Sequence, residues 1–402
     1  MSRHEVKSLK YNLISGGLPL GCKVKNGIIF PAYSVGEAVS CPKNVRYATY
    51  VHYSNKLYLM DTYSLYSAVE GGDYNIVVTE DAKLPFVIEY REGTKQVAKA
   101  IFDKTAVLFR DAAVMLRNVP YRICGGVYKN GRVFAIDGTD SFKLCWSGES
   151  GIDDWEEKID GAGWLYTDTE LGEIINLLVY KDYIAVIKKR GISLLSAFGT
   201  PEDFKVITTV STPMICRNCS VVCGDKIYFY TADGLYTFNG SAIKKVEIEL
   251  AKDFTSVVYA MAYGSTVFIA GKHEKLYRNV ILAYETHENI PYFIDVAATA
   301  MAAASHPYAY AGNSAIRLEK GKTFTYRSDK IGHFSRRQKT LKSVFVDCEN
   351  EVEITVFTEN RKIDFKNIKG KLSANIRGMY FKVYVTGTDA EIKQFTANLE
   401  YY

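Results

Sequence analysis

Residues 124–147 read "CGGVYKNGRVFAIDGTDSFKLCWS". An apolar run alternating with polar residues breaks at Asn130-Gly131, resumes as "RVFAID", breaks again and resumes as "KLCW". Asn-Gly between two alternating runs is a strong short-range hairpin signal, because both residues accept the left-handed backbone that a two-residue turn demands. The segment is therefore read as three antiparallel strands.

The same phrase recurs. "YVHYSNKLYLMDTYSLYS" starts at Tyr50, "NLLVYKDYIAVIKKRGISLLS" at Asn176, "CSVVCGDKIYFYTADGLYTFNG" at Cys219 and "VVYAMAYGSTVFIAGKHEKLYRNVILAY" at Val257. Their first turns fall at Asn55-Lys56, Lys181-Asp182, Gly224-Asp225 and Gly264-Ser265, with weaker copies at Asp103-Lys104 and His306-Pro307. Successive turns are spaced by roughly 27 to 51 residues, bracketing the 40–45 of a four-stranded propeller blade. A unit of that size cannot cover its own apolar faces, so such units stack and close radially. The reading is an all-β chain whose residues 44–330 form a β-propeller of six or seven blades. A large β-sandwich, or two in tandem, shares the alternation but not the repeating third strand.

Composition agrees. The 402 residues include 30 Tyr and 20 Phe, types that favour half-buried pleated surfaces. The best helical candidate, Thr169 to Leu178, is short and could equally lead straight into a strand. Past residue 330 the phrase changes: "LKSVFVDC", "VEITVFT", "RKIDFKN", "YFKVYVTG" and "EIKQFTANLEYY" follow one another with tight turns. Residues 331–402 are read as a small C-terminal antiparallel, sandwich-like module of five strands. Residues 1–43 form an N-terminal extension that lends a strand to one of the two bodies.

Charge and targeting limit function. A formal net charge of +5 with no run of five like charges does not describe a nucleic-acid clamp, although contact with DNA remains allowed. No long apolar stretch suggests a leader or a membrane span, so synthesis in a cytoplasm without export is expected. Eight cysteines suggest no disulfide framework. "CRNCSVVC" gives Cys216 and Cys219 a zinc-like spacing, but no second pair supplies the remaining ligands, so buried free thiols are expected along with Cys223. The six histidines are scattered, and no cofactor is implied.

The densest acidic stretch is "LCWSGESGIDDWEE", residues 144–157, with Glu149, Asp153, Asp154, Glu156 and Glu157. Carboxylates on a propeller loop raise the prospect of glycoside hydrolysis, which needs two facing groups. Near neighbours in sequence do not face each other across a glycosidic bond without partners from other blades. The stretch is also one residue and one Glu-for-Asp away from the Ser-x-Asp-x-Gly-x-x-Trp box, a structural turn between outer strands of a blade.

The segment running from Asn130 through Leu144–Ser147 to Asp153 and Trp155 resembles one in the β-propeller proteins of short-tailed phages, the tail nozzles and packaged-DNA stabilisation proteins. "TFTYRSDKI", with Tyr326, Arg327 and Ser328, is similar to their crossing into a terminal module, although Asp329 stands where a basic residue is expected. "IRGMYFKVYVTGTDAEIKQFTANLEYY", with Arg377 and Gly378, is similar to their closing hairpin. The resemblance covers the chain from about residue 120 to its end. It implies a non-enzymatic virion component in tail or neck: a homo-oligomeric ring, six-fold in such nozzles, contacting portal, adaptor or tail-tube proteins and, transiently, viral DNA. In that reading Trp146 covers a blade edge, Ser147 turns the chain and Trp155 staples the loop, with Asp153 on a solvated face or a subunit contact. The basic segment "SRRQKTLK" offers Arg336, Arg337, Lys339 and Lys342 as lining for a DNA passage. A tail adhesin or glycan depolymerase acting on the host surface is the alternative.

Overall fold

The structure, a computed structural model, describes residues 7–401 except 53–54, 62, 80–85, 93–94, 103–104, 109–112, 116–121, 150–152, 158–159 and 335–336. Contacts divide the chain into two compact units, one of residues 38–279 and 297–316, the other of 1–37, 280–296 and 317–402.

The first unit holds the first strands of a propeller. Seven first strands, Tyr47–Val51, Phe86–Glu92, Ile123–Lys129, Ile174–Tyr180, Ile215–Cys223, Phe254–Tyr263 and Ala300–Ala303, neighbour one another in that order, and the last returns to the first. The ring is therefore closed and seven-fold. Each of the first five opens a four-stranded sheet in sequence order, spanning 47–79, 86–115, 123–166, 174–211 and 215–245. Within this unit the sixth opens with the hairpin Phe254–Tyr263, Thr266–His273. The seventh takes its outermost strand from the N-terminal segment, Tyr33–Ser40.

Turn chemistry sets the register. Asn130 and Gly131 sit at φ 49° and 81°, the left-handed pair that joins Ile123–Lys129 to Arg132–Asp137, while Lys181 and Gly224 take φ 54° and 60° at the equivalent turns of the fourth and fifth blades. The turn expected at Asp103-Lys104 lies outside the described residues. The helical candidate resolves into a single 3-10 turn, Thr169–Leu171, followed at Ile174 by a strand.

Apolar cores fill the gaps between blades. Phe86, Ile88, Ile101, Val133, Ala135 and Trp155 meet between the second and third. Phe134, Leu144, Trp146, Ile184, Val186 and Leu195 meet between the third and fourth. Because residues alternate across a strand, the blade strand Arg132–Asp137 contributes Val133 and Ala135 to one core and Phe134 and Ile136 to the next.

The second unit is a β-sandwich with its own core of Leu13, Ile29, Tyr326, Val344, Val385 and Phe395 among others. One sheet has the order Cys22–Lys25, Ile28–Pro31, Ile392–Tyr401, Lys339–Cys348, Gly370–Gly378, with Lys7–Asn12 also paired to Ile392–Tyr401. The other carries Leu18–Leu20, Thr323–Arg327, Lys382–Thr388, Val352–Phe357 and Lys362–Ile368. The C-terminal stretch thus has six strands rather than five, the additional one being Gly370–Gly378.

Candidate functional site

The loop between the third and fourth strands of the third blade, Lys143–Trp146 and Gly163–Tyr166, carries the residues singled out in the sequence. Its two tryptophans point to opposite faces of the blade. Trp146 does not cover an edge. It is buried against Phe134 and Phe204, and its indole Nε1 donates to the Gly161 carbonyl at 2.8 Å. Trp155 is buried in the neighbouring core, so the loop is pinned into two inter-blade gaps at once.

Ser147 is fully buried and turns the chain. Its Oγ accepts from the Val133 amide at 3.0 Å and donates to the Gly148 carbonyl at 3.1 Å. Two cations that the sequence reading did not single out hold the loop's acids. Arg132, 3% exposed, donates to the carbonyls of Ser147 and Asp160 at 3.0 and 2.9 Å and pairs with Glu149 at 3.0 Å. Lys99, from the second blade, pairs with Asp153 at 2.5 Å. Asp153 therefore lies on neither a solvated face nor a subunit contact alone: it ties one blade to the next. Asp154 accepts the Glu156 amide at 3.0 Å. None of these contacts sets two carboxylates facing each other, which acid–base hydrolysis of a glycosidic bond requires. The signal for Arg132 was its position just after the Asn130-Gly131 turn, where a charged residue facing a core must find carbonyls; Lys99 carried no comparable signal.

The propeller axis holds a cavity of about 380 Å³ lined by first strands of five blades, with Ala48, Leu178, Val222, Tyr259, Met261 and Met301 on its wall. The Tyr259 hydroxyl donates to the Ala48 carbonyl at 3.3 Å. No charged side chain lines this space among the described residues. Among them, too, no group of three or more metal-ligating side chains converges. The Cys219 thiol, pushed up by burial, donates to the Arg217 carbonyl at 3.0 Å, and burial also raises Cys216.

In the sandwich, Tyr326 is buried, donating to the Ile14 carbonyl at 2.5 Å and accepting the Gly17 amide at 3.0 Å. Ser328 accepts the Val383 amide at 3.0 Å, and the Arg327 guanidinium lies 5.2 Å from the Tyr384 ring. Arg377 is exposed and Gly378 buried, where a Cβ would come within 3.1 Å of Thr358. The basic segment does not act as one patch. Lys339 is 1% exposed, its ammonium donating to the carbonyls of Arg337 and Met379 at 2.8 and 2.9 Å, and burial lowers its pKa; it lines no passage in this chain. Lys342 pairs with Glu400 at 3.1 Å, Arg337 is exposed, and Arg336 lies outside the described residues.

No family model matches the chain, and no curated protein does. Solved structures do. The extracellular domain of a hybrid two-component system from Bacteroides thetaiotaomicron is 6% identical over 89% of this chain and 58% of that one, with a TM-score of 0.52. The Pan2 WD40 domain of Neurospora crassa is 9% identical over 71% and 95%, with a TM-score of 0.49. BamB of Moraxella catarrhalis is 9% identical over 78% and 98%, with a TM-score of 0.46. The likeness is one of fold. Among the described residues no helix is long and apolar enough to cross a membrane.

Proposed function

We propose that the chain is a structural component of a virion, a ring-forming protein of a phage tail or neck through which the genome is retained and ejected. The observation that carries this reading is the role of the residues in the phage-like segments. Trp146, Ser147, Trp155, Tyr326 and Ser328 are all spent on packing and on backbone hydrogen bonds. A scaffold needs that use of its motif residues, whereas a hydrolase would keep polar groups converging on open space. The acidic loop supports the same reading, since Glu149 and Asp153 are occupied by Arg132 and Lys99.

In this role the protein needs no cofactor and performs no bond chemistry. It is made in the host cytoplasm and built into particles beside portal, adaptor or tail-tube proteins. Copies join head to tail, one face meeting a different face of the next, which is how closed rings arise. Cryo-electron microscopy of particles carrying this protein tests the reading. An axial ring of repeated seven-bladed densities is expected, and a lone monomer or a peripheral fibre overturns it.

A further inference from the structure

We infer that the outward face of one sandwich sheet is a binding surface for the phosphate backbone of double-stranded DNA. This deepens the proposed role and rests on it for the identity of the polyanion. The sheet places Lys7–Asn12, Ile392–Tyr401, Lys339–Cys348 and Gly370–Gly378 side by side. Alternation sorts their side chains. Tyr11, Leu399, Leu341 and Ile376 pack into the sandwich core, so their neighbours Lys10, Glu400, Lys342 and Arg377 point the other way.

Register fixes where the charges fall. Lys10 stands opposite Asn398, Arg377 opposite Thr340 and Lys371 opposite Phe345. Lys10 and the strand of Arg377 are three inter-strand spacings apart, about 14 Å, and Lys371 and Arg377 are six residues apart on one strand, about 20 Å. The major groove is about 12 Å wide, so these cations can reach phosphates on both of its sides. Lys342 is neutralised by Glu400. Asp347 is the other acid on these outward rows, at the end beyond Phe345. Lys10, Lys371 and Arg377 are exposed and make no ion pair or hydrogen bond with the described residues. Between them lie neutral groups suited to phosphate oxygens, Thr340, Ser373, Asn375 and Asn398. A sheet face with three exposed cations that the described residues do not pair, and with no base-reading element, fits weak, sequence-independent contact, which suits a passage better than a clamp.

Fluorescence anisotropy of the full chain with a short random-sequence duplex across a salt series tests this. Three phosphate contacts predict a slope of about −2.7 in log affinity against log salt, falling in magnitude by about one for each of Lys10→Gln, Lys371→Gln and Arg377→Gln. The triple variant should lose binding, while Lys244→Gln/Lys245→Gln, on a blade strand outside the sandwich, should keep it. Unchanged binding by the triple variant with an unchanged circular dichroism spectrum overturns the inference. So does absence of binding at low salt, or tighter capture by anionic lipid vesicles through the same residues. The outcomes are separable: an axial ring in particles with a duplex-blind face sinks only this inference, while duplex binding without a ring sinks the reading it rests on.

Discussion

Lys188 is fully buried, its ammonium donating to the Asp168 carbonyl, and burial lowers its pKa from 10.5 to about 8 against the pull of the Asp168 carboxylate. Between those two values the unfolded chain holds the proton and the folded chain releases it, so the contribution of this residue to stability rises with pH across that window. The penalty is fully present below pH 8 and amounts to about 3 kcal/mol. Denaturant titrations at pH 7.5 and pH 10 should show a smaller gain with pH for Lys188→Met than for the wild type; equal gains would sink the assignment. Trp155 makes the complementary point. It fills the gap between the second and third blades, so Trp155→Ala should cost about 3–5 kcal/mol, read as a lowered midpoint. A cost under about 1 kcal/mol would mean the surrounding core closes over the void.

At the scale of elements, the sequence was most legible where a turn enforced a backbone conformation. Asn130-Gly131, Lys181-Asp182 and Gly224-Asp225 each proved to join first and second strands, since few residues tolerate positive φ. Legibility failed where small polar residues diluted the alternation. "KLSANIRG" faces the core with Leu372, Ala374 and Ile376, but the small polar Ser373 and Asn375 between them leave little strand signal in the sequence. Nor could pattern alone say which sheet takes Tyr33–Ser40, because pairing between distant segments leaves no local trace. At the candidate site, the architectural use of Ser147 and Trp155 was readable, whereas the inward turn of Lys339 was not, since a lysine in a basic run looks solvated until its carbonyl partners are known. Tyr326 shows what such long-range partners do. Its hydroxyl bonds both the Ile14 carbonyl and the Gly17 amide, clamping the N-terminal segment across the sandwich. Tyr326→Phe leaves both groups without that partner and should cost about 1–3 kcal/mol. Protease cleavage near residue 15 should accelerate as well; an unaltered digestion rate would show that the clamp does not hold the segment.

For the whole molecule, the two units carry separate cores, and the chain's aromatic residues allow them to be watched separately. All three tryptophans, Trp146, Trp155 and Trp164, belong to the propeller unit, and the sandwich unit has none. Indole fluorescence therefore reports unfolding of the propeller, while far-ultraviolet circular dichroism reports strands of both. The sandwich core around Leu13, Tyr326, Val344 and Phe395 includes no residue of the propeller unit, and coincidence of probes is the test of a single cooperative transition. We expect the two curves to separate in guanidinium, with an additional dichroism transition that fluorescence does not see. Tyr326→Phe should move only that additional transition, because substitutions in separate cores act independently. Trp155→Ala should move the propeller transition, still followed by Trp146 and Trp164. Superimposable curves that Tyr326→Phe shifts together would mean that the units unfold as one.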